Sequence, residues 1–372
     1  MKTYLDKNVY EAALERIAYC FQEFDNVLVA FSGGKDSGVL LNLCYNYADE
    51  HGLLDKLTMY HLDYEAQYQM TTEYVTRTFL EQFPGIRKMW YCVPIKAQSA
   101  CALGEPYWTP WDAAKKKLWV RAMPENPYVV HEGNLDVPFR HGMVDYEFQD
   151  KLSRHFAKKR GTTAVMVGLR ADESLNRYAA VARGKKRRSY EGRKWITQTS
   201  AVTANVYPLY DWRVSDIWTA TARFGFDYNR LYDLLYQAGL TAGQMRVASP
   251  FNDCAQESLK LYKVIDPSNW ARMIGRVNGV NFTGLYGGTT AMGWKTIKLP
   301  PGHTWKSYYE FLLSTMDART AAHYNNILEK SKRYWMQGGT VDPGTADEVL
   351  AAYPLAAVTG KSGRYDGRDI VQ

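Results

Sequence analysis

Paired cysteines are missing from this sequence. Its five, Cys20, Cys44, Cys92, Cys101 and Cys254, lie far apart, with no CxxC spacing and no histidine at finger distance. That pattern argues against a structural zinc site and a disulfide framework, and an iron–sulfur cluster would have to gather four ligands from scattered positions. Any metal chemistry therefore falls back on a nucleotide-bound magnesium ion. Long apolar runs are missing too: nothing approaches the ~18 consecutive residues of a membrane span, and the opening MKTYLDKNVY has no apolar core for a signal peptide. The expectation is a soluble, cytoplasmic protein with no membrane contact. Nor is the charge extreme: +7 favours anionic partners without choosing between nucleotides and nucleic acid.

With 372 residues and 46% apolar content, the chain can bury two modest cores, and two domains are expected. Aromatic residues are abundant, with 28 tyrosines and 11 tryptophans, which core packing explains more readily than base stacking.

After a helix at about 8–23, strands are expected at 27–31, 57–62, 88–93 and 164–168, and helices at 38–50, 67–82 and 146–159. Alternation at these lengths implies an α/β fold, a parallel sheet flanked by helices. Between Pro94 and Met143 the alternation breaks into a stretch rich in proline and tryptophan, an ordered insertion beyond the third strand. It either carries substrate-recognition loops or covers a sheet edge. From Val214 on, helices are expected at 214–224, 228–238, 256–264 and 305–316, with a glycine-rich loop over Arg276–Trp294. A boundary near Gly243 would divide the chain into a nucleotide-binding domain, 1–243, and a mainly helical domain, 244–372.

The chemistry is concentrated in AFSGGKDSGVLL. An apolar strand stops, and a helix opens, at Ser32, Gly33, Gly34, Lys35, Asp36 and Ser37. A helix amino terminus offers unpaired N–H groups and a positive dipole end. Glycines let an anion approach the main chain. The serines add hydroxyl donors, Lys35 a mobile charge, and Asp36 a carboxylate able to hold magnesium or its water. The loop lacks the spacing of Walker A and of the dinucleotide fingerprint, and its adjacent glycines suit a single pyrophosphate or sulfate group.

This stretch resembles the PP-loop of the ATP-pyrophosphatase superfamily, in particular its phosphoadenosine phosphosulfate (PAPS) reductase-like branch. TMYHLDYEAQYQMTTEYV resembles the family's second strand and next helix, with Asp63 and Thr72 at the matching positions. VMVGLRADESLNR resembles its Gly-x-Arg segment through Gly168, Arg170, Glu173, Ser174 and Arg177, and VYPLYDWRVSDIW its Pro-Leu-x-x-Trp module through Pro208, Leu209, Trp212, Asp216 and Trp218. The resemblance implies that ATP or PAPS binds with Mg2+, that the adenine and ribose lie against Phe31, Leu62 and Asp63, and that Lys35, Asp36 and Arg170 are catalytic. Gly168, Arg170, Glu173 and Arg177 would form a second anion site. Arg170 and Arg177 can fork onto a phosphate or sulfate, or be held in solvated salt bridges with Asp172 or Glu173.

The chain departs from thiol-dependent PAPS reductases in having no Glu-Cys-Gly-x-His element and no cysteine after Cys254. Cys254, near Arg246, is either a reactive thiolate or a small buried side chain. MRVASPF, WARMIGRVNGVNF and YGGTTAMGW resemble a phage and bacterial subfamily that includes immunoglobulin-binding regulator A, which implies a ParB-like partner. The run ARGKKRRSYEGRK, with Lys185, Lys186, Arg187 and Arg188, is either a nucleic-acid contact made mainly to phosphates or a solvated basic loop. Three functions stay open: adenylation of an acceptor with release of pyrophosphate, the acceptor on a nucleic acid included; sulfonucleotide reduction through Cys254 or an external thiol; and nucleotide sensing with a DNA-binding partner.

Overall fold

In the computed structural model, residues 5–102, 105–182, 189–287, 289, 291 and 298–338 are described. The strands are β1 (Asn26–Ala30), β2 (Leu57–Leu62), β3 (Arg87–Cys92), β4 (Ala97–Gln98), β5 (Tyr107–Trp108), β6 (Val129–His131), β7 (Thr163–Val167), β8 (Ser189–Tyr190), β9 (Arg193–Gln198) and β10 (Thr203–Val206). Eight of them form one sheet in the order β6-β3-β2-β1-β7-β10-β9-β8. Pairing is parallel from β6 to β10, and antiparallel for β10 with β9 and β9 with β8.

Around the sheet run α1 (Val9–Glu23), α2 (Lys35–Glu50), α3 (Gln69–Glu81), α4 (Asp145–Arg160), α5 (Leu175–Ala182) and α6 (Val214–Phe224). They are followed by α7 (Leu231–Gln237), α8 (Tyr262–Ile265), α9 (Pro267–Arg276), α10 (Val280–Tyr286), α11 (Trp305–Ser314) and α12 (Ala318–Gly338). Every residue of β2 is buried, as a central parallel strand covered on both faces requires. One core joins Ile17, Phe21, Leu40, Leu41, Phe79, Trp90 and Ile217; a second gathers Leu28, Tyr60, Tyr91, Phe148 and Leu152 around α4. The expected α/β architecture is present. No helix among the described residues is long and apolar enough to cross a membrane.

Three expectations need correction. The insertion is more than loops: β6 extends the sheet beside β3, and β4 pairs with β5. The Arg276–Trp294 stretch contains α10 where a loop was expected. Gly284 there marks close packing: a Cβ on it would fall 2.2 Å from the Trp270 ring. The expected 256–264 helix is broken into a short 3₁₀ turn and α8.

The chain divides into two compact units, residues 1–285 and 286–372. Position 243 falls inside the first, so α8 and α9 pack with the sheet domain. In the second unit, α11 opens on a capping box between Thr304 and Ser307, and Asp317 caps the start of α12 by accepting from the amides of Arg319 and Thr320.

What binds α9 and the insertion to the sheet is Glu65, fully buried and left-handed at φ 63°. Arg276 of α9 donates to both its carboxylate oxygens, at 2.8 and 3.0 Å, and to the carbonyl of Thr109 at 2.6 Å. The amides of Trp111 and Val120 donate to the same carboxylate at 2.6 and 3.0 Å. Removing one partner of such a pair strands the other charge in the interior. Arg276→Met is expected to lower stability by about 3–5 kcal/mol, read as a drop in the denaturant midpoint; an unchanged midpoint would show the pair to be dispensable.

Candidate functional site

The glycine loop connects β1 to α2 on the rim where the parallel strands end. Gly33 takes φ 76°, a left-handed conformation that costs glycine little, and Gly34 stands at the N-cap of α2. The serines brace the turn: the Ser32 amide donates to Ser37 Oγ at 3.1 Å, the two hydroxyls lie 3.0 Å apart, and Ser37 Oγ donates to the Gly34 carbonyl at 3.0 Å. The Gly34 amide donates to Ser32 Oγ at 3.3 Å and the Lys35 amide to the Tyr232 hydroxyl at 3.2 Å. The amides of Gly33, Asp36 and Ser37 carry no hydrogen bond among the described residues. They are the open donors at the positive end of α2.

Gly168, just past β7, fixes the neighbouring segment. A Cβ there would sit 2.9 Å from the Asp36 carbonyl carbon and 2.9 Å from the Ser37 amide nitrogen, so only glycine lets β7 end this close to the loop. Two residues later Arg170, 3% exposed, pairs through Nε with Asp36 and through Nη1 with Asp172. Lys35 Nζ lies 3.0 Å from the other Asp36 oxygen. One carboxylate thus holds two buried cations beside the open amides. Farther along, Glu173 is gripped by Arg177 and by Arg246, each at 3.0 Å, and Ser174 Oγ accepts from the Arg177 amide. Both expected arginines therefore have carboxylate partners, and Arg246 joins them from the C-terminal segment.

Of the adenine-side residues, Phe31 and Leu62 are buried, and Phe31 packs on His61 and Tyr74. Asp63 is fully buried and accepts from Arg121 Nη2 at 2.6 and 2.5 Å, from Trp90 Nε1 at 2.7 Å and from the Glu65 amide at 2.8 Å. Burial alone would raise its carboxyl, but Arg121, His61 and the hydrogen bonds hold it below the usual range. Thr72 turns back onto the Tyr68 carbonyl. The Pro208–Trp212 module anchors α1: Arg16 pairs with Asp211 and donates to the Pro208 carbonyl, and Trp212 donates to the carbonyl of Val9. Leu209 lies in the core, Asp216 caps α6 and Trp218 packs against Tyr228 and Tyr232.

Cys254 is exposed, yet desolvation of its thiol pushes the pKa up while Arg246 pulls it down, and burial wins. The other four cysteines are buried. Lys185, Lys186, Arg187 and Arg188 lie outside the described residues.

Two contributors were missed. Asn229 donates through Nδ2 to the Gly33 carbonyl at 3.3 Å and to Thr71 Oγ1 at 2.9 Å. Tyr232 sets its hydroxyl at the Lys35 amide and its ring 5.2 Å from Lys35 Nζ. Burial first, and then the charge of Asp36, push the phenol up, so it stays an O–H group that accepts from the loop and has its own proton to give. Nothing in the sequence separates this tyrosine from the rest on amphipathic helices. Tyr232→Phe is expected to weaken pyrophosphate binding about 10- to 100-fold, the worth of one hydrogen bond to a charged group. Tighter binding in calorimetry would instead make the hydroxyl a plug.

A family model described as phosphoadenosine phosphosulfate reductase domain matches residues 26–238, and one described as a domain of unknown function (DUF3440) matches 239–372. The chain is 34% identical to the uncharacterized protein YbdN of Escherichia coli (strain K12) over 353 residues, covering 94% of this chain and 85% of that one. Among solved structures, PAPS reductase from Candida auris in a phosphate complex aligns at TM-score 0.35 and 15% identity, covering 63% of this chain and 93% of that one. The U34-tRNA thiolase NcsA from Methanococcus maripaludis aligns at TM-score 0.33 and 13% identity, covering 75% and 82%. With its family match spanning more than half of the sequence, the chain belongs to the phosphoadenosine phosphosulfate reductase domain family.

Proposed function

We propose that the protein binds ATP at the glycine loop and transfers its adenylyl group to an acceptor, releasing pyrophosphate. The observation that supports this reading is the set of open amides at Gly33, Asp36 and Ser37, next to Lys35 and Arg170. An acceptor oxygen or sulfur forms a bond to the α-phosphorus while the bridging P–O bond to the β-phosphate breaks. Pyrophosphate leaves with the electron pair, and the acceptor's proton passes to water. Charge grows on the leaving pyrophosphate, and fixed donors aimed at it lower the barrier without reorganising. Before the nucleotide arrives, Asp36 keeps Lys35 and Arg170 close; a phosphate then competes for the same two cations.

While Asp36 is paired in this way, magnesium does not fit as a protein-bound ion. Both oxygens of Asp36 are occupied by Lys35 and Arg170, and no cluster of three or more metal-ligating side chains exists among the described residues. Reduction of PAPS through Cys254 or an external thiol is the second reading, and the raised thiol of Cys254 weighs against the first of these routes, since the thiolate is the attacking form.

The test is incubation with labelled ATP, or with PAPS, in magnesium-containing buffer. Pyrophosphate is expected from ATP, with free AMP where water takes the place of the acceptor, and Lys35→Ala is expected to abolish both. Sulfite from PAPS would move the function to reduction, and a bound but uncleaved nucleotide would make the protein a sensor. In parallel, Cys254 is expected to alkylate slowly at pH 8, its rate climbing with pH through a midpoint above that of free cysteine, about 8.5. A midpoint below 7 would restore a thiolate mechanism.

A further inference from the structure

A large cleft in the sheet domain lies away from the glycine loop. It has a volume of about 1090 Å³, at the upper end for small-molecule sites. It is lined by Cys92 and His131, the last residues of β3 and β6, by the insertion, and by Arg272 of α9. The cleft therefore opens on the same rim as the loop. Counting strands at about 4.8 Å each, it is centred roughly 10–14 Å from β1. The Asp63–Arg121 pair stands between the two.

The lining carries charges of both signs, and among its acids Glu125 forms no ion pair among the described residues. Arg121 is neutralised by Asp63, and Glu132 is held by His141 at 2.6 Å. Lys116 and Arg272 form no ion pair among the described residues, and both flank Trp119. Lys116 Nζ lies 5.7 Å from the Trp119 ring centroid, and Arg272 Nη1 touches the Trp119 carbonyl at 3.4 Å. The indole is partly exposed and fixed in orientation: Nε1 donates to the Asp112 carbonyl at 2.9 Å, and the ring stands edge-on to Trp111 at 86°.

The fold holds this wall firmly. Trp111 adopts φ 55° and Glu65 φ 63°, left-handed conformations unusual for residues other than glycine, and the two are hydrogen-bonded to each other. The Trp111 indole also donates to the Asp63 carbonyl at 2.9 Å. A segment that merely covered a sheet edge would not need two strained residues pinned by a buried ion pair. Such pinning is what a preorganised binding wall requires.

We propose that this cleft is a second ligand site, which takes a nucleoside phosphate unit by stacking its base on Trp119 and pairing its phosphate with Lys116 and Arg272. A flat aromatic surface flanked by unpaired cations matches the two parts of that ligand, a π-face and an anion. When a base stacks, Lys116 gives up its long contact with the ring and turns to the phosphate. The unit comes either as a free nucleotide or as one residue of a single strand. The proposal is independent of what the glycine loop binds.

The test is calorimetry on the full chain with AMP, UMP and a single-stranded pentanucleotide, repeated in Lys35→Ala, Trp119→Leu and Lys116→Ala. Binding of UMP or the pentanucleotide is expected to survive Lys35→Ala and to weaken about tenfold in Trp119→Leu, while pyrophosphate binding stays at the wild-type level. The exposed Lys116 tolerates truncation, and its loss is expected to lower the slope of log affinity against log salt for the pentanucleotide by about 0.7. A pentanucleotide that binds more tightly than UMP identifies a strand as the source, and equal affinities identify a free nucleotide. No saturable binding of any of the three, or binding that Trp119→Leu and Lys116→Ala both leave untouched, overturns the proposal. Loss of binding in Lys35→Ala alone would place the nucleotide at the glycine loop and overturn it equally.

Discussion

The approach of Gly168 to the first turn of α2 governs the geometry of the rim. Because no Cβ separates β7 from the backbone of Asp36 and Ser37, the chain leaving β7 passes directly beside the glycine loop. Arg170 then reaches Asp36 from a different strand, and Lys35 reaches it from within the loop. A carboxylate between two buried cations costs less than either cation alone in a low dielectric. Two cations are thus held in position by an aspartate, as the proposed phosphate site requires. The helix dipole and the open amides of α2 supply the rest.

The segment after the sheet is part of this arrangement. Asn229 and Tyr232 touch the loop backbone, Arg246 pairs with Glu173, and Arg276 neutralises Glu65 beneath the insertion. Two buried acids two residues apart, Asp63 and Glu65, divide the work at the end of β2: one fixes Arg121 and Trp90, the other fixes α9 and two insertion amides. The matched sequence families meet at residue 238, whereas the first packed unit continues to 285. Evolutionary and packing divisions of the chain therefore differ, and ion pairs cross the former.

The run from β1 to β3, and then α4 and β7, was legible because each buried strand is a short apolar block and each helix repeats its apolar residues every three to four positions. The glycine loop was legible because serine, lysine and aspartate have no role in a bare turn. The antiparallel ribbon β8–β10 escaped, since its edge strands are short and polar enough to pass for a basic loop. Helix α10 escaped because glycine suggests a loop, whereas Gly284 is there to admit the Trp270 ring. Residues such as Glu65, Tyr232 and Arg276 act through partners roughly 200 positions away. No local pattern signals such pairings, so the site's loop could be read from the sequence but its supports could not.

The central claim is that the unpaired amides at the head of α2 receive a phosphate. Titration of isotopically labelled protein with pyrophosphate, followed through backbone amide chemical shifts, addresses it directly. Saturable shifts concentrated at Gly33, Asp36 and Ser37, with smaller ones at Lys35, are the result the account requires. Shifts confined to other parts of the chain, or none at millimolar pyrophosphate, would contradict it.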